Sequence, residues 1–262
     1  YYLRVYTPTS PREVGASQRH LGAWNDGRYR LVSGTSGTVL STHLSFFHID
    51  GLQVKQTNND SGFRGIWCRD AATNSMVRIS NNIIVGPHNT ADTHVAWGIQ
   101  VGSTDADSSS AGIWNNVIYD MGTANLCAGI VNHGSGHMHA YNNTIVGADG
   151  AIKNSAGGIL VAKNNVAVGC RYSSSLDDRS TNNASSDGSA PDQSPILLSS
   201  DDPLDYFLGS ADFHIDPLAP NANELIGAGV DLSNDVDWPF TRDIDGSVRT
   251  LPWDVGADEV DP

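Results

Sequence analysis

The side chains of this 262-residue chain best suited to chemistry are Arg69, Arg78, His133, His137 and His139, because their spacing places them in register. Gly65-Ile66, Gly98-Ile99, Gly129-Ile130 and, more loosely, Gly150-Ala151 each open a short β-type run. If Ile66, Ile99, Ile130 and Ile152 point inward, strand alternation makes Arg69, Gly102, His133 and Ser155 one outward column. Counting back from recurrent Asn-Asn pairs gives a second column, Arg78, Gly112, His139 and Val161, with His137 two residues before His139. Two Arg and three His then share one face, with Gly102 and Gly112 leaving space between them. Such a groove suits an anionic sugar polymer. Arg neutralises a uronate carboxylate, and a His titrating near neutrality takes the adjacent proton. His133-Gly134-Ser135-Gly136-His137 also reads as a plain surface turn. Trp67 shares a third outward column with Gln100, Val131 and Lys153, which makes Trp67, Gln100 and Lys153 the candidate substrate contacts. Trp24, Trp97 and Trp114 are further aromatic surfaces, unless they are partly buried.

Hydrolysis would instead use paired carboxylates, one protonating the leaving oxygen and one activating water. Asp105 and Asp107 are the one close pair in a long repeat, although alternate aspartates on a solvated loop give the same pattern. His88 and His94 lie on the neighbouring long loop, at a spacing that matches no metal motif. Asp243 and Asp245 before Gly246 suggest a turn of oxygen ligands. Calcium is therefore the one cofactor the chain suggests, and none is required by the chemistry above. Cys68, Cys127 and Cys170 are too few and too widely spaced for a disulfide framework.

The elements that must hold these residues are short strands. The chain has 27 Gly and, by count, 21 Asn and 26 Asp, against three Glu and three Lys, a balance that favours turns over helix surfaces. Four Asn pairs precede β-type runs: Asn81-Asn82, Asn115-Asn116, Asn142-Asn143 and Asn164-Asn165, with a degenerate copy at Asp50-Gly51-Leu52. The last two copies align without a gap from Ile130 to Gly147 and from Ile152 to Gly169, one rung of a stacked solenoid. Asn tolerates the left-handed bend, and its amide can donate to one rung and accept from the next. Asn132 and Asn154 are candidates for a shorter second stack. This pattern resembles the asparagine ladder of right-handed parallel β-helix proteins, the pectate-lyase-like architecture. The resemblance implies an all-β, single-stranded parallel β-helix over residues 1–170, its first rung incomplete. That architecture hosts lyases, hydrolases and adhesins alike. The Asn-Thr-Asp, Asp-Asp and Gly-His-Gly set of its hydrolases is missing as a set around Asp105 and Asp107.

Residues 171–200 are rich in Ser, Asp and Asn and read as an exposed loop. Asp212-Phe213-His214-Ile215-Asp216, Arg242-Asp243-Ile244-Asp245-Gly246 and Val255-Gly256-Ala257-Asp258-Glu259 resemble the ending of secreted bacterial β-helix proteins. Residues 171–262 are accordingly expected to be an irregular acidic tail packed along the coil. Alternation within the repeat motif predicts Leu52, Ile83, Val117, Thr144 and Val166 inside, and Gln53, Ile84, Ile118, Ile145 and Ala167 outside under that tail. Residues 1–170 carry 11 basic and 10 acidic groups, whereas 171–262 carry 4 and 19. The acidic tail would repel phosphate, so nucleic acid is not an expected partner. No apolar run is long enough to span a membrane. The start at Tyr1, without an apolar signal core, reads as a mature or trimmed product. The expectation is an extracellular, secreted or surface-associated, carbohydrate-active protein, a lyase or hydrolase of an acidic polysaccharide or cell-surface glycan. The alternative is a noncatalytic glycan-binding, adhesive or virion-associated β-helix.

Overall fold

The computed structural model of the chain describes residues 2–59, 62–69, 75–88, 94–102, 110–155, 157–172, 176–190 and 193–260. The protein is all-β. Its only helical elements among these residues are three 3₁₀ turns, Ala16–Gln18, Pro203–Asp205 and Ala222–Glu224. The strands form three parallel sheets that the chain visits in rotation. Sheet 1 runs from Leu3–Tyr6 through Phe46–Asp50, Met76–Ser80, Ser110–Trp114 and His137–Tyr141 to Ile159–Lys163. Sheet 2 starts at Leu31–Ser33 and Gln53–Gln56 and continues through Ile83–Val85, Val117–Gly122, Thr144–Ala148 and Val166–Val168. Sheet 3 stacks Thr38–Thr42, Phe63–Cys68, Ala96–Val101, Cys127–Asn132 and Gly150–Asn154. One apolar core draws on all three, with Ile79 and Ile113 from sheet 1, Ile84 and Ile118 from sheet 2, and Ile66 and Ile99 from sheet 3.

The corner between sheets 1 and 2 explains the Asn pairs. The first Asn of each pair has a left-handed backbone, with φ of 55° at Asn81, 52° at Asn115, 48° at Asn142 and 56° at Asn164. The second Asn is buried and carries the ladder. Asn82 donates to Asn116 at 2.9 Å, Asn116 to Asn143 at 2.9 Å and Asn143 to Asn165 at 2.9 Å. Asn165 then donates to Asn183 at 2.8 Å. Asn182 is also left-handed, and Ala184–Ser185 and Ile196–Leu197 extend sheet 2. The reading of 171–200 as an exposed loop is thus corrected over these residues. A fifth Asn pair sits inside the Ser-rich stretch and continues the stack. Asn132 also donates to Asn154, at 3.2 Å, completing the second stack.

Two expectations about the strand after the corner fail by one residue. Gln53, not Leu52, pairs with Ile83, and Gly51, with φ of 71°, takes the place of the left-handed Asn. The inner face is also reversed: Ile84, Ile118 and Ile145 belong to the core between the sheets, while Ile83, Val85, Val117 and Tyr119 face out. The physical reason lies in the ladder. Asn82 turns its amide inward to stack, so alternation puts Ile83 out and Ile84 in. The buried Ile column has a complementary glycine column. A Cβ on Gly65 would lie 2.6 Å from Ile84 Cγ2, one on Gly98 2.6 Å from Ile118 Cγ2, and one on Gly129 2.7 Å from Ile145 Cγ2.

Residues beyond Ser200 pack along the sheets, on the column opposite to the one expected. Phe213, Ile215 and Leu225 join Ile83, Val117 and Tyr119 in one buried cluster, with the Phe213 and Tyr119 rings 5.0 Å apart. Trp238 and Trp253 cover Tyr141 and Val161 on sheet 1. The left-handed asparagines fasten this covering segment. Asn142 donates to the Asp254 and Gly256 carbonyls at 3.1 and 3.0 Å, Asn164 to Val230 at 2.8 Å and Asn182 to Ala228 at 2.9 Å.

Candidate functional site

The C-terminal segment covers the later strands of sheets 1 and 2, and the buried clusters it forms include no residue of sheet 3. The outer face of sheet 3 carries a run of alternating cations and rings. Arg64 pairs in register with Trp97, and Trp67 with Gln100. The Arg64 guanidinium carbon lies 4.4 Å from the Trp67 ring centre and 4.9 Å from that of Trp97, and Arg69 lies 4.1 Å from Trp67. His133 continues the run, its ring 5.6 Å from Trp97. Cation–π contact holds these groups in place without neutralising them. Neither Arg64 nor Arg69 has an ion pair among the described residues, and burial together with the Arg69 charge pushes the Arg64 pKa down. Arg69 Nε and His133 Nδ1 are buried with no hydrogen-bond partner among the described residues. Trp67 Nε1 and Gln100 Nε2 both donate to the Gly102 carbonyl, at 3.3 and 3.2 Å, and Arg64 Nε donates to Gln100. The column Trp67, Gln100, Val131 and Lys153 is as expected. Lys153, however, is committed to Asp149 at 2.8 Å, and Asp149 also holds Arg171.

The expected convergence of five residues on one open groove does not occur. Arg69 and His133 directly follow strands of sheet 3, whereas Arg78, His137 and His139 lie on sheet 1, past a corner of the chain. The second column is in register as expected, Arg78 with Gly112 and Gly112 with His139. The space over Gly112 is nevertheless filled by the Trp238 indole, 2.4 Å from where a Cβ would stand. Gly102 likewise packs against the Gly134 backbone, with its Cβ position 2.7 Å from Gly134 N. His139 is 3% exposed, with Nδ1 3.0 Å from the Tyr141 hydroxyl and 3.5 Å from an Asp237 carboxylate oxygen. Burial lowers its pKa, with Asp237 opposing, and burial raises that of Tyr141. His139 thus serves a buried network beneath the covering segment, while His137 stays exposed.

Asp105 and Asp107 lie outside the described residues. His88 is exposed beside Asp120 at 3.5 Å, and His94 bonds the Asn59 carbonyl at 2.9 Å. Asp243 does not offer a free carboxylate for calcium. Its oxygens accept from Gly246 N at 2.9 Å and Glu259 N at 3.2 Å, and burial followed by Asp245 raises its pKa to about 8. Among the described residues no group of three His, Cys, Asp or Glu side chains is arranged to hold a metal. No helix among them is long and apolar enough to cross a membrane. Sequence reasoning missed Arg64. Its signal was available: Arg64-Gly65-Ile66 and Trp97-Gly98-Ile99 occupy the same repeat position. Compared with protein-family models, with curated proteins and with solved structures, the chain matches none.

Proposed function

We propose that the three stacked sheets close as a right-handed parallel β-helix whose sheet 3 face binds an acidic polysaccharide and cleaves it by β-elimination. The observation that carries this reading is the Arg69, Trp67, Arg64, Trp97, His133 run, with two guanidiniums held against indoles and without an ion pair among the described residues. Indole faces accept the apolar face of a sugar ring. Guanidinium groups pair with a carboxylate and stabilise the charge that develops when the neighbouring carbon loses its proton. In this reading Arg64 and Arg69 bind the uronate carboxylate, Trp67 and Trp97 stack the rings, the buried Gln100 positions the Arg64 guanidinium, and His133 takes the proton. The glycosidic C–O bond breaks as the double bond forms, and the leaving oxygen gains a proton from water. Such a substrate places the protein outside the cell, at a surface or in secretion. A noncatalytic glycan-binding role is favoured by one observation, the packing of Gly102 on Gly134, which fills the gap between Arg69 and His133.

The test is a screen against uronate polymers that follows ultraviolet absorbance of the unsaturated product and new reducing ends in parallel. Elimination raises both, hydrolysis only the second, and binding without either favours the noncatalytic role. Absence of both binding and cleavage across the panel contradicts the proposal.

A further inference from the structure

We propose that the uncovered half of sheet 1 holds a second site, distinct from the sheet 3 face, which takes a ring bearing a carboxylate against Arg78 and Phe46. Strand register stacks Arg4, His48, Arg78 and Gly112 in one column, and Trp238 stands over Gly112 as a wall. Beside this column is a cavity of about 120 Å³ lined by Tyr2, Phe46, Phe47, Met76 and Arg78. Phe46 and Met76 are 48% and 42% exposed, so the C-terminal segment that covers later rungs stops short of them. The charge balance is positive in a chain whose net charge is −14. Asp50 is taken up by Arg4 at 2.7 Å and Arg19 at 3.3 Å, leaving Arg78 without an ion pair among the described residues. The Arg78 guanidinium carbon is 5.5 Å from the Trp238 ring centre, and its Nη2 donates to Met76 Sδ at 3.5 Å, a weak acceptor that a carboxylate readily replaces. His48 bonds Ser80 Oγ at 2.8 Å, and burial lowers its pKa to about 4, so at neutral pH it adds a polar group and no charge. An anion is matched by Arg78 and a ring by the Phe46 face, and one ligand that joins them satisfies both.

The shared chemistry admits a uronic acid residue or an aromatic carboxylate, and the probes separate them. In a protein carrying Arg64→Gln and Arg69→Gln, which removes the sheet 3 cations, galacturonate, benzoate and galactose are titrated while the indole N–H resonances of Trp238 and Trp114 are followed. Galacturonate or benzoate moves the Trp238 resonance saturably and galactose does not. The tighter of the two carboxylates names the source. Adding Arg78→Gln weakens that binding about tenfold or more, as loss of a charge-assisted bond requires. Phe46→Ser, at a half-exposed position that does not threaten the core, weakens it several-fold. Unsaturable shifts, equal response to galactose, or undiminished affinity in both variants overturns the second site without touching the sheet 3 reading.

Discussion

Adjacent asparagines at each corner perform different tasks, and substitution should separate them. Asn143 accepts from Asn116 and donates to Ile113 O and Asn165 Oδ1. Asn143→Ala leaves several buried partners unmet, each costing about 1–3 kcal/mol. Urea unfolding should show a loss of about 3 kcal/mol or more. Asn142→Gly keeps the left-handed backbone and loses the bonds to Asp254 and Gly256 together with the acceptor for Asn164 Nδ2 at 3.1 Å; Asn164 keeps its bond to Val230, so the cost should be about 1–3 kcal/mol. The carboxylates give a pH signature. Burial and Asp245 raise Asp243 to about 8, and burial raises Asp258 to about 7. Between their ordinary value near 3.8 and these raised values the native state binds more protons than the unfolded one, so their contribution to stability falls as pH rises from about 4 to 8. Asp50 acts in the opposite sense. Against its burial, Arg19 and the Asn81 amide hold it to about 2, and its contribution is lost as pH falls from 3.8 toward 2. Burial holds His20 and His48 to about 4, so between about pH 4 and 6.5 the unfolded state takes up their protons and offsets the two carboxylates. Thermal melts should hold nearly level there and fall from about pH 6.5 to 8, a limb that Asp243→Asn should flatten. A wild-type melting temperature that rises between about pH 6.5 and 8 contradicts this account.

At the scale of elements, the repeats were legible because stacking demands the same residue type at the same place. Left-handed Asn at the bend and glycine opposite isoleucine recur for that reason. The inner face of sheet 2 was not legible from apolarity, since both faces of these strands are covered, one by the core and one by the C-terminal segment. Only the inward Asn amide fixes the phase. The register of the first copy was hidden because Gly51 and Leu52 replace the Asn pair there. Volume exchange across the core gives a sharper test. Ala151 follows Gly129 in its column and Ala167 follows Ile145, so both members of the pair change together one rung on. Gly129→Ala should destabilise by about 1–3 kcal/mol through overpacking against Ile145 Cγ2, 2.7 Å from the new Cβ, and the Ala151 carbonyl, 2.9 Å from it. In Gly129→Ala/Ile145→Ala the loss should be smaller than the sum of the single losses by about 1 kcal/mol or more. Additive losses would show that the two columns do not meet.

For the whole molecule, the covering C-terminal segment decides which faces can meet a ligand, and the sequence did not disclose where it would lie. The columns containing Arg69 with His133 and Arg78 with His139 were read correctly. Their assembly into one groove failed because the chain turns a corner between them and because Trp238 fills the space over Gly112. Deleting residues 201–260 should expose Ile83, Val85, Val117 and Tyr119, increase binding of a hydrophobic dye and drive self-association in gel filtration. A truncated chain that stays monomeric with an unchanged melting temperature would deny the covering role. The central functional claim concerns the one sheet absent from those covered clusters. It is tested most directly by the affinity of an acidic oligosaccharide, such as a galacturonate hexamer, for the wild type and for Trp67→Ala and Arg64→Gln/Arg69→Gln proteins, alongside an uncharged hexamer. The account predicts salt-sensitive binding of the acidic chain, weakened about tenfold or more in each variant, with the uncharged chain bound weakly by all three; equal affinity of wild type and variants for the acidic chain would contradict it.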